Sequence, residues 1–129
     1  MRLQTAKAAL KTTVNSLAAS GTTNIHEGFM WGWRTISPNA PFADGALYNS
    51  TANTKVIVLM TDGENTWYEA ANALNGSDYS AYGYYNAAQG RLSPNANGAP
   101  RAVSNETQAR AAMDDLVRRA CKGARDKGV

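Results

Sequence analysis

The feature that most constrains the fold is a short, uninterrupted apolar run that ends in Thr-Asp-Gly. The run is Val56-Ile57-Val58-Leu59-Met60, and Thr61-Asp62-Gly63 follows it. A run of this length that is rich in β-branched residues is typical of a strand buried on both faces, as parallel strands in α/β sheets are. We therefore predict a central strand over residues 55–61. Asp62 would then stand at its carboxyl end, where open α/β sheets place their ligand sites. The Asp-Gly pair is also a common turn, so the dipeptide alone does not separate a site from a turn.

Three amphipathic segments surround this run, each with apolar residues at helical spacing. We predict helices near residues 2–18, 25–35 and 106–127. Thr23 or Asn24 can cap the second helix, with Glu27 in place for a capping box, and Asn105 can cap the third, with Gln108 three residues on. Helices on either side of one buried strand indicate the α/β class, with a parallel central strand flanked by helices.

Residues 64–104 have a different composition, rich in Tyr, Asn, Ser and Gly, and show no lasting period. A loop longer than about 15 residues inside a domain is usually functional or disordered. Tyrosine is a rigid contact residue in many binding loops. We predict that the insertion contacts a partner through Tyr79, Tyr82, Tyr84 and Tyr85. The alternative, equally open at this stage, is that the insertion covers a small hydrophobic cluster of its own.

Length and composition exclude several classes of protein. The chain has 129 residues, 43% hydrophobic and 18% charged, which suits one globular domain. A net charge of +3 is too small to indicate nucleic-acid binding. A single cysteine, Cys121, and a single histidine, His26, exclude an internal disulfide and clustered His/Cys zinc ligation within one chain. No apolar run approaches the ~18 residues of a membrane span, and no signal peptide is visible, so we expect a soluble chain. The helical pattern is already running at Met1, and Gly128-Val129 is typical of the entry to a further strand, so we expect both ends to be cut.

Two motifs together resemble a von Willebrand factor A (vWA) domain. They are Gly21-Thr22-Thr23-Asn24-Ile25 and Val58-Leu59-Met60-Thr61-Asp62-Gly63-Glu64-Asn65-Thr66. The chain also has Trp31-Gly32-Trp33-Arg34, Ser37-Pro38, and Cys121 with Gly128-Val129 in the order of the TadG-like branch, which is associated with tight-adherence (Flp) pilus assembly in bacteria. The resemblance covers nearly the whole chain. It implies one partial vWA domain of Rossmann-like fold over residues 1–129, truncated at both ends, with 64–104 as an insertion.

The resemblance also implies a metal-ion-dependent adhesion site. vWA domains hold Mg²⁺, Mn²⁺ or Ca²⁺ between an Asp-x-Ser-x-Ser loop, a Thr and the Asp of Thr-Asp-Gly. By position, Thr23 and Asp62 are the ligands that this chain supplies. The Asp-x-Ser-x-Ser segment does not occur in the 129 residues. Since Mg²⁺ needs several oxygen ligands and gives up its waters reluctantly, we expect weak or no metal binding by this chain alone.

The function implied is a non-catalytic protein-binding module for adhesion or pilus assembly. Its partner would be a pilus or envelope component, not nucleic acid. The full-length protein would lie in the periplasm or cell envelope behind an N-terminal membrane anchor that this chain lacks. Two alternatives stay open. One is a metal-assisted hydrolase that uses Asp62, Glu64 and His26. The other is a structural protein that pairs with another chain through exposed sheet edges.

Overall fold

Three helices form the framework of the part of the chain that the structure describes. The computed structural model describes residues 3, 5–67, 81–83, 92, 103 and 105–129. The helices are α1, Lys7–Asn15, α2, Ile25–Ile36, and α3, Glu106–Asp126. Helices α2 and α3 lie within a residue of the predicted bounds and pack against each other. Helix α1 is shorter than predicted and packs against neither of the other two.

Local capping explains where α2 and α3 begin. The Asn24 side-chain oxygen accepts a hydrogen bond from the Glu27 backbone N–H at 3.0 Å. The Asn105 side chain does the same for Gln108 at 2.9 Å. Both predicted caps are therefore confirmed. Helix α1 follows Ala6, which makes no side-chain cap, and has no acidic residue in its first turn, so it lacks these stabilising contacts.

The end of α3 is a Schellman motif. Gly128 has a φ of +82°, a conformation that favours glycine. Its N–H donates to the Arg125 carbonyl at 2.9 Å, and the Val129 N–H donates to the Ala124 carbonyl at 3.1 Å. Val129, which the sequence suggested as the start of a further strand, packs instead beside the C-terminal turn of α3.

The α/β prediction is wrong for the part of the chain that the structure describes. Apart from a single bridge residue, Gly83, no β-structure occurs in the described residues, so the class observed there is all-α. Residues 55–61 form neither a strand nor a helix. The physical reason is that a strand needs a neighbour to pair its backbone groups, and a local apolar pattern does not supply one. The predicted Rossmann-like arrangement therefore does not form among these residues.

Two small apolar clusters pack the described residues against α2 and α3. The helix-pair core joins α2 to the C-terminal half of α3. It consists of Phe29, Ala120 and Ala124, with Met30, Trp33, Ile57, Cys121 and Val129 partly buried against them. The insertion core lies on the N-terminal half of α3. It consists of Trp67, Leu92, Val103, Ala109, Ala112 and Met113, with Tyr82 and Leu116 partly buried. The described residues of the insertion thus bury apolar side chains against α3, and not in a cluster formed by the insertion alone.

The apolar run itself packs by one face only. Lys55 and Ile57 are half-buried, and the Lys55 ammonium donates to the Ile36 carbonyl at 2.6 Å. Val56, which lies between these two residues, and Val58, which follows Ile57, are exposed. This alternation is that of an extended backbone lying across the helix pair.

None of the described helices combines the length and apolar character needed to cross a bilayer.

Candidate functional site

The two loops that carry the predicted metal ligands lie side by side. The Thr23 backbone N–H donates to the Thr66 hydroxyl at 2.7 Å, and the Thr66 N–H donates back to the Thr23 carbonyl at 3.0 Å. Thr66 is four residues beyond Asp62, so the Thr-Asp-Gly loop reaches the entry to α2. The structure therefore brings together the two segments that the resemblance singled out, through their backbones.

Thr23 and Asp62 do not by themselves fit a magnesium site. Both residues are exposed, and the Asp62 carboxylate makes no hydrogen bond or ion pair within the described chain. Thr61 accounts for the adjacent turn, since its hydroxyl donates to the Gly63 carbonyl at 3.0 Å. Nowhere in the described residues do three His, Cys, Asp or Glu side chains come together as a metal site. One carboxylate and one hydroxyl fall short of the oxygen ligands that Mg²⁺ needs.

Asn65 is the residue that ties this region together. It is 1% exposed, and its side-chain oxygen accepts from the Ile25 N–H at 2.9 Å, one of the free donors of the first turn of α2. Its amide nitrogen donates to an Asp114 carboxylate oxygen on α3 at 2.7 Å. Beside it, Arg110 forms an ion pair with the exposed Glu64 at 2.8 Å. One buried amide thus links the Thr-Asp-Gly loop to both packed helices.

A chain of hydrogen bonds joins the insertion to the start of α2. The Tyr82 hydroxyl donates to the Asn24 side-chain oxygen at 3.1 Å and lies 2.6 Å from His26 Nδ1. The Tyr82 hydroxyl has one proton, so when it donates that proton to Asn24, His26 Nδ1 carries a proton and donates to the Tyr82 oxygen. Burial, aided by the nearby Arg34 charge, lowers the pKa of His26 below 6.5. Burial also raises the pKa of Tyr82 above 10.0. A neutral imidazole and a neutral phenol therefore suit this junction.

Of the four tyrosines predicted to contact a partner, Tyr82 is the one that the structure describes. Tyr82 is half-buried, and its ring lies 6.1 Å from the Trp67 ring in the insertion core. Tyr79, Tyr84 and Tyr85 lie outside the described residues. Tyr82 thus joins the insertion to α2, a contact that the sequence did not indicate, because His26 and Tyr82 are 56 residues apart.

The residues of the hydrolase alternative are held apart by other contacts. His26 bonds to Tyr82, Glu64 pairs with Arg110, and Asp62 has no partner in the described chain. General acid–base chemistry needs its groups within hydrogen-bond reach of the same reacting atom. No contact in the described part of the chain joins these three side chains, so no observation favours this alternative.

The most unusual surface is the outer face of the apolar run. We call it the open face, formed by Val56, Val58 and Met60, which are 69%, 77% and 86% exposed. Leu59, on the opposite side, is less exposed at 41%. The backbone of residues 56–60 forms no hydrogen bond with the described residues. Three large apolar side chains in a row, exposed to water, form the kind of patch that marks interaction sites on soluble proteins.

The sequence identified the run but not its open face. The continuous apolar pattern predicted burial on both sides, and nothing in the run distinguishes Val58 from Ile57. The role of Asn65 was also missed, because its partner Asp114 lies 49 residues away. No family model matches this chain, and its comparison with curated proteins and with solved structures gives no significant similarity.

Proposed function

We propose that the protein is a non-catalytic protein-binding module whose contact surface is the open face. The observation that carries the proposal is the exposure of Val56, Val58 and Met60 above a covered Ile57. Burying a side chain of this size from full exposure contributes roughly 1.5–3 kcal/mol, so covering three of them supplies a substantial binding energy. Ile57 packs on the helix-pair core and Lys55 bonds to the Ile36 carbonyl, so the start of the segment is anchored before a partner binds.

The motif resemblance supports the kind of partner. In this proposal the partner is a pilus or envelope component, and the full-length protein acts in the periplasm or cell envelope. The resemblance rests on residues 21–25 and 58–66, and hydrogen bonds hold these two segments together beside the open face. The proposal needs no catalytic group.

Site-specific photocrosslinking tests the open face directly. A photoreactive benzoylphenylalanine would replace Val58 in cells that produce the protein, and Thr51, which is exposed outside the open face, would serve as the matched control position. We expect a covalent adduct with a second polypeptide from position 58 and little or none from position 51. Absence of an adduct from position 58, or equal adducts from both, would overturn the proposal.

The proposal also includes weak or absent metal binding by this chain, because two oxygen ligands hold Mg²⁺ poorly. Calorimetric titration with Mn²⁺ of the wild-type chain and of Asp62→Ala should give the same negligible heat. Tight binding that Asp62→Ala abolishes would show that other residues complete a site around this carboxylate.

A further inference from the structure

A second apolar surface of the chain is also bare. No residue of α1 is buried, and the helix contacts neither α2 nor α3. In and beside it, Leu3, Val14 and Leu17 are 49%, 58% and 75% exposed. An amphipathic helix of nine residues has little stability in water unless its apolar face is covered. The chain thus has two uncovered apolar surfaces, one on α1 and one on the segment that crosses the helix pair.

We propose that α1 of one copy packs on the open face of a second copy, and that the exchange is reciprocal, giving a two-fold dimer. This inference rests on the proposed function, because it uses the same open face and names a second copy of the chain, itself an envelope component in that proposal, as the protein that covers it. The open face lies on the side of the segment away from α2 and α3, so a helix placed there meets no part of the helix-pair core. Each copy would then contribute a helix and an acceptor surface, which closes the assembly at two subunits.

The reach of the linker permits the exchange. Residues 18–24, which contain neither helix nor strand, connect Leu17 to α2. Seven residues in an extended conformation span roughly 23–25 Å, which approaches the diameter of a small domain. Helix α1 can therefore lie on a neighbouring molecule while α2 stays in its own helix pair.

The area available matches what a stable dimer needs. If a fully exposed side chain of this size offers on the order of 100 Å² of apolar surface, the six exposed side chains, three in and beside α1 and three on the open face, provide roughly 400–500 Å² per copy. A standard interface buries about 800 Å² per partner, of which roughly 60% is apolar. The apolar area of either surface alone falls short of the apolar part of a standard interface, and the two surfaces together reach it.

The charges of the two surfaces are complementary. Helix α1 carries Lys7 and Lys11 and no acidic residue between Lys7 and Asn15. The open face leads into an acidic end, where Asp62 is exposed and has no ion pair in the described chain, while Glu64, two residues on, already pairs with Arg110. Packing α1 over the open face brings lysines toward the Asp62 carboxylate, whereas stacking two open faces on each other leaves the lysines without a carboxylate partner.

Sedimentation of the purified chain with two charge variants tests the exchange. Wild type should show a concentration-dependent monomer–dimer equilibrium. Val58→Asp on the open face and Val14→Asp on α1 should each weaken dimerisation roughly 100-fold, because each places a carboxylate in an apolar contact. Both positions are exposed in the single chain, so circular dichroism should show unchanged helix content.

Mixing the two variants separates reciprocal exchange from other contacts. The Val58→Asp chain keeps a normal α1, and the Val14→Asp chain keeps a normal open face, so the mixture should form a heterodimer with one of the two contacts although neither variant dimerises alone. A Val14→Asp chain that dimerises like wild type would show that open faces stack on each other, and would overturn the exchange.

Disulfide trapping distinguishes a second copy from docking of α1 within its own chain. In a Cys121→Ser background, which removes the native thiol, the Val14→Cys/Val58→Cys chain should oxidise to a covalent dimer. A cross-linked monomer, or a wild-type chain that stays monomeric at all concentrations, would overturn the inference.

If the purified chain is monomeric while position 58 still crosslinks to a different protein in cells, the proposed function stands without self-association. If position 58 gives no adduct in cells, the proposed function itself fails.

Discussion

At the scale of single residues, Asn65 carries more of the structure than its place in a loop suggests. Its two hydrogen bonds hold the first turn of α2 and the carboxylate of Asp114 on α3. Removing the Asn65 amide leaves the Ile25 backbone N–H without its partner, which costs about 1–3 kcal/mol, whereas the exposed Asp114 carboxylate can bond to water instead.

We therefore expect Asn65→Ala to lower the free energy of unfolding by about 1–3 kcal/mol, measured by urea denaturation. Asn53→Ala is the matched control, because Asn53 is exposed and its single side-chain contact, to Ser50, is 3.4 Å long. The control should change stability by less than ~0.5 kcal/mol. Equal effects of the two substitutions would contradict the role assigned to Asn65.

His26 should make stability depend on pH. The folded protein holds the pKa of His26 below 6.5, mainly through burial and further through Arg34 and Arg119, while Glu27 acts in the opposite direction. The unfolded chain then binds the proton more readily than the folded chain. The contribution to stability is complete above pH 6.5 and is lost as the pH falls through the pKa of the folded state.

The measurement is the free energy of unfolding of wild type and His26→Gln between pH 7.5 and 5. Wild type should lose stability relative to the variant as the solution is acidified, because glutamine does not titrate. Parallel curves for the two proteins would show that His26 takes up its proton equally well in both states.

At the scale of the elements, α2 leaves room for an added side chain at Gly28, whereas the loop after α2 leaves none at Gly45. A Cβ added at Gly28 would meet nothing within 4 Å, whereas one at Gly45 would lie 2.0 Å from the Ile36 carbonyl oxygen. Gly28→Ala should therefore raise the free energy of unfolding by roughly 0.5–1 kcal/mol through helix propensity. Gly45→Ala should lower it, because the loop after α2 must move. Thermal unfolding of the pair measures both effects, and destabilisation by Gly28→Ala would mean that this face of α2 is covered.

The elements also show which parts of the fold could be predicted from the sequence. Helices α2 and α3 could, because Asn24 and Asn105 are local signals for their starts and Gly128 is one for the end of α3. The predicted sheet was wrong for the described residues, because a local apolar pattern does not supply the distant neighbour that a strand must pair with. The ligand assignment of Thr23 and Asp62 came from motif resemblance, and whether they bind a metal stays a prediction. The contacts of Asn65 and Tyr82 within the chain were missed, because their partners lie 40 to 58 residues away.

At the scale of the whole molecule, the account depends on a segment covered on one side and open on the other. The helix pair covers Ile57, the insertion core secures the N-terminal half of α3, and the Val56–Met60 run is left with a bare outer face. In the proposed function, a bound protein would cover these three large apolar side chains. In the proposed exchange, a second copy would cover the apolar surface in and beside α1.

The most direct test of this account is the reactivity of single cysteines along the run. Cysteine would replace each of residues 56, 57 and 58 in turn in a Cys121→Ser background, at concentrations low enough to keep the chain monomeric. The rate of alkylation would be compared with that of the unfolded chain. The account predicts rapid labelling at 56 and 58 and slow labelling at 57, following the alternating exposure of the native side chains. Slow labelling at all three positions would show that both faces are covered within one chain and would contradict the open face.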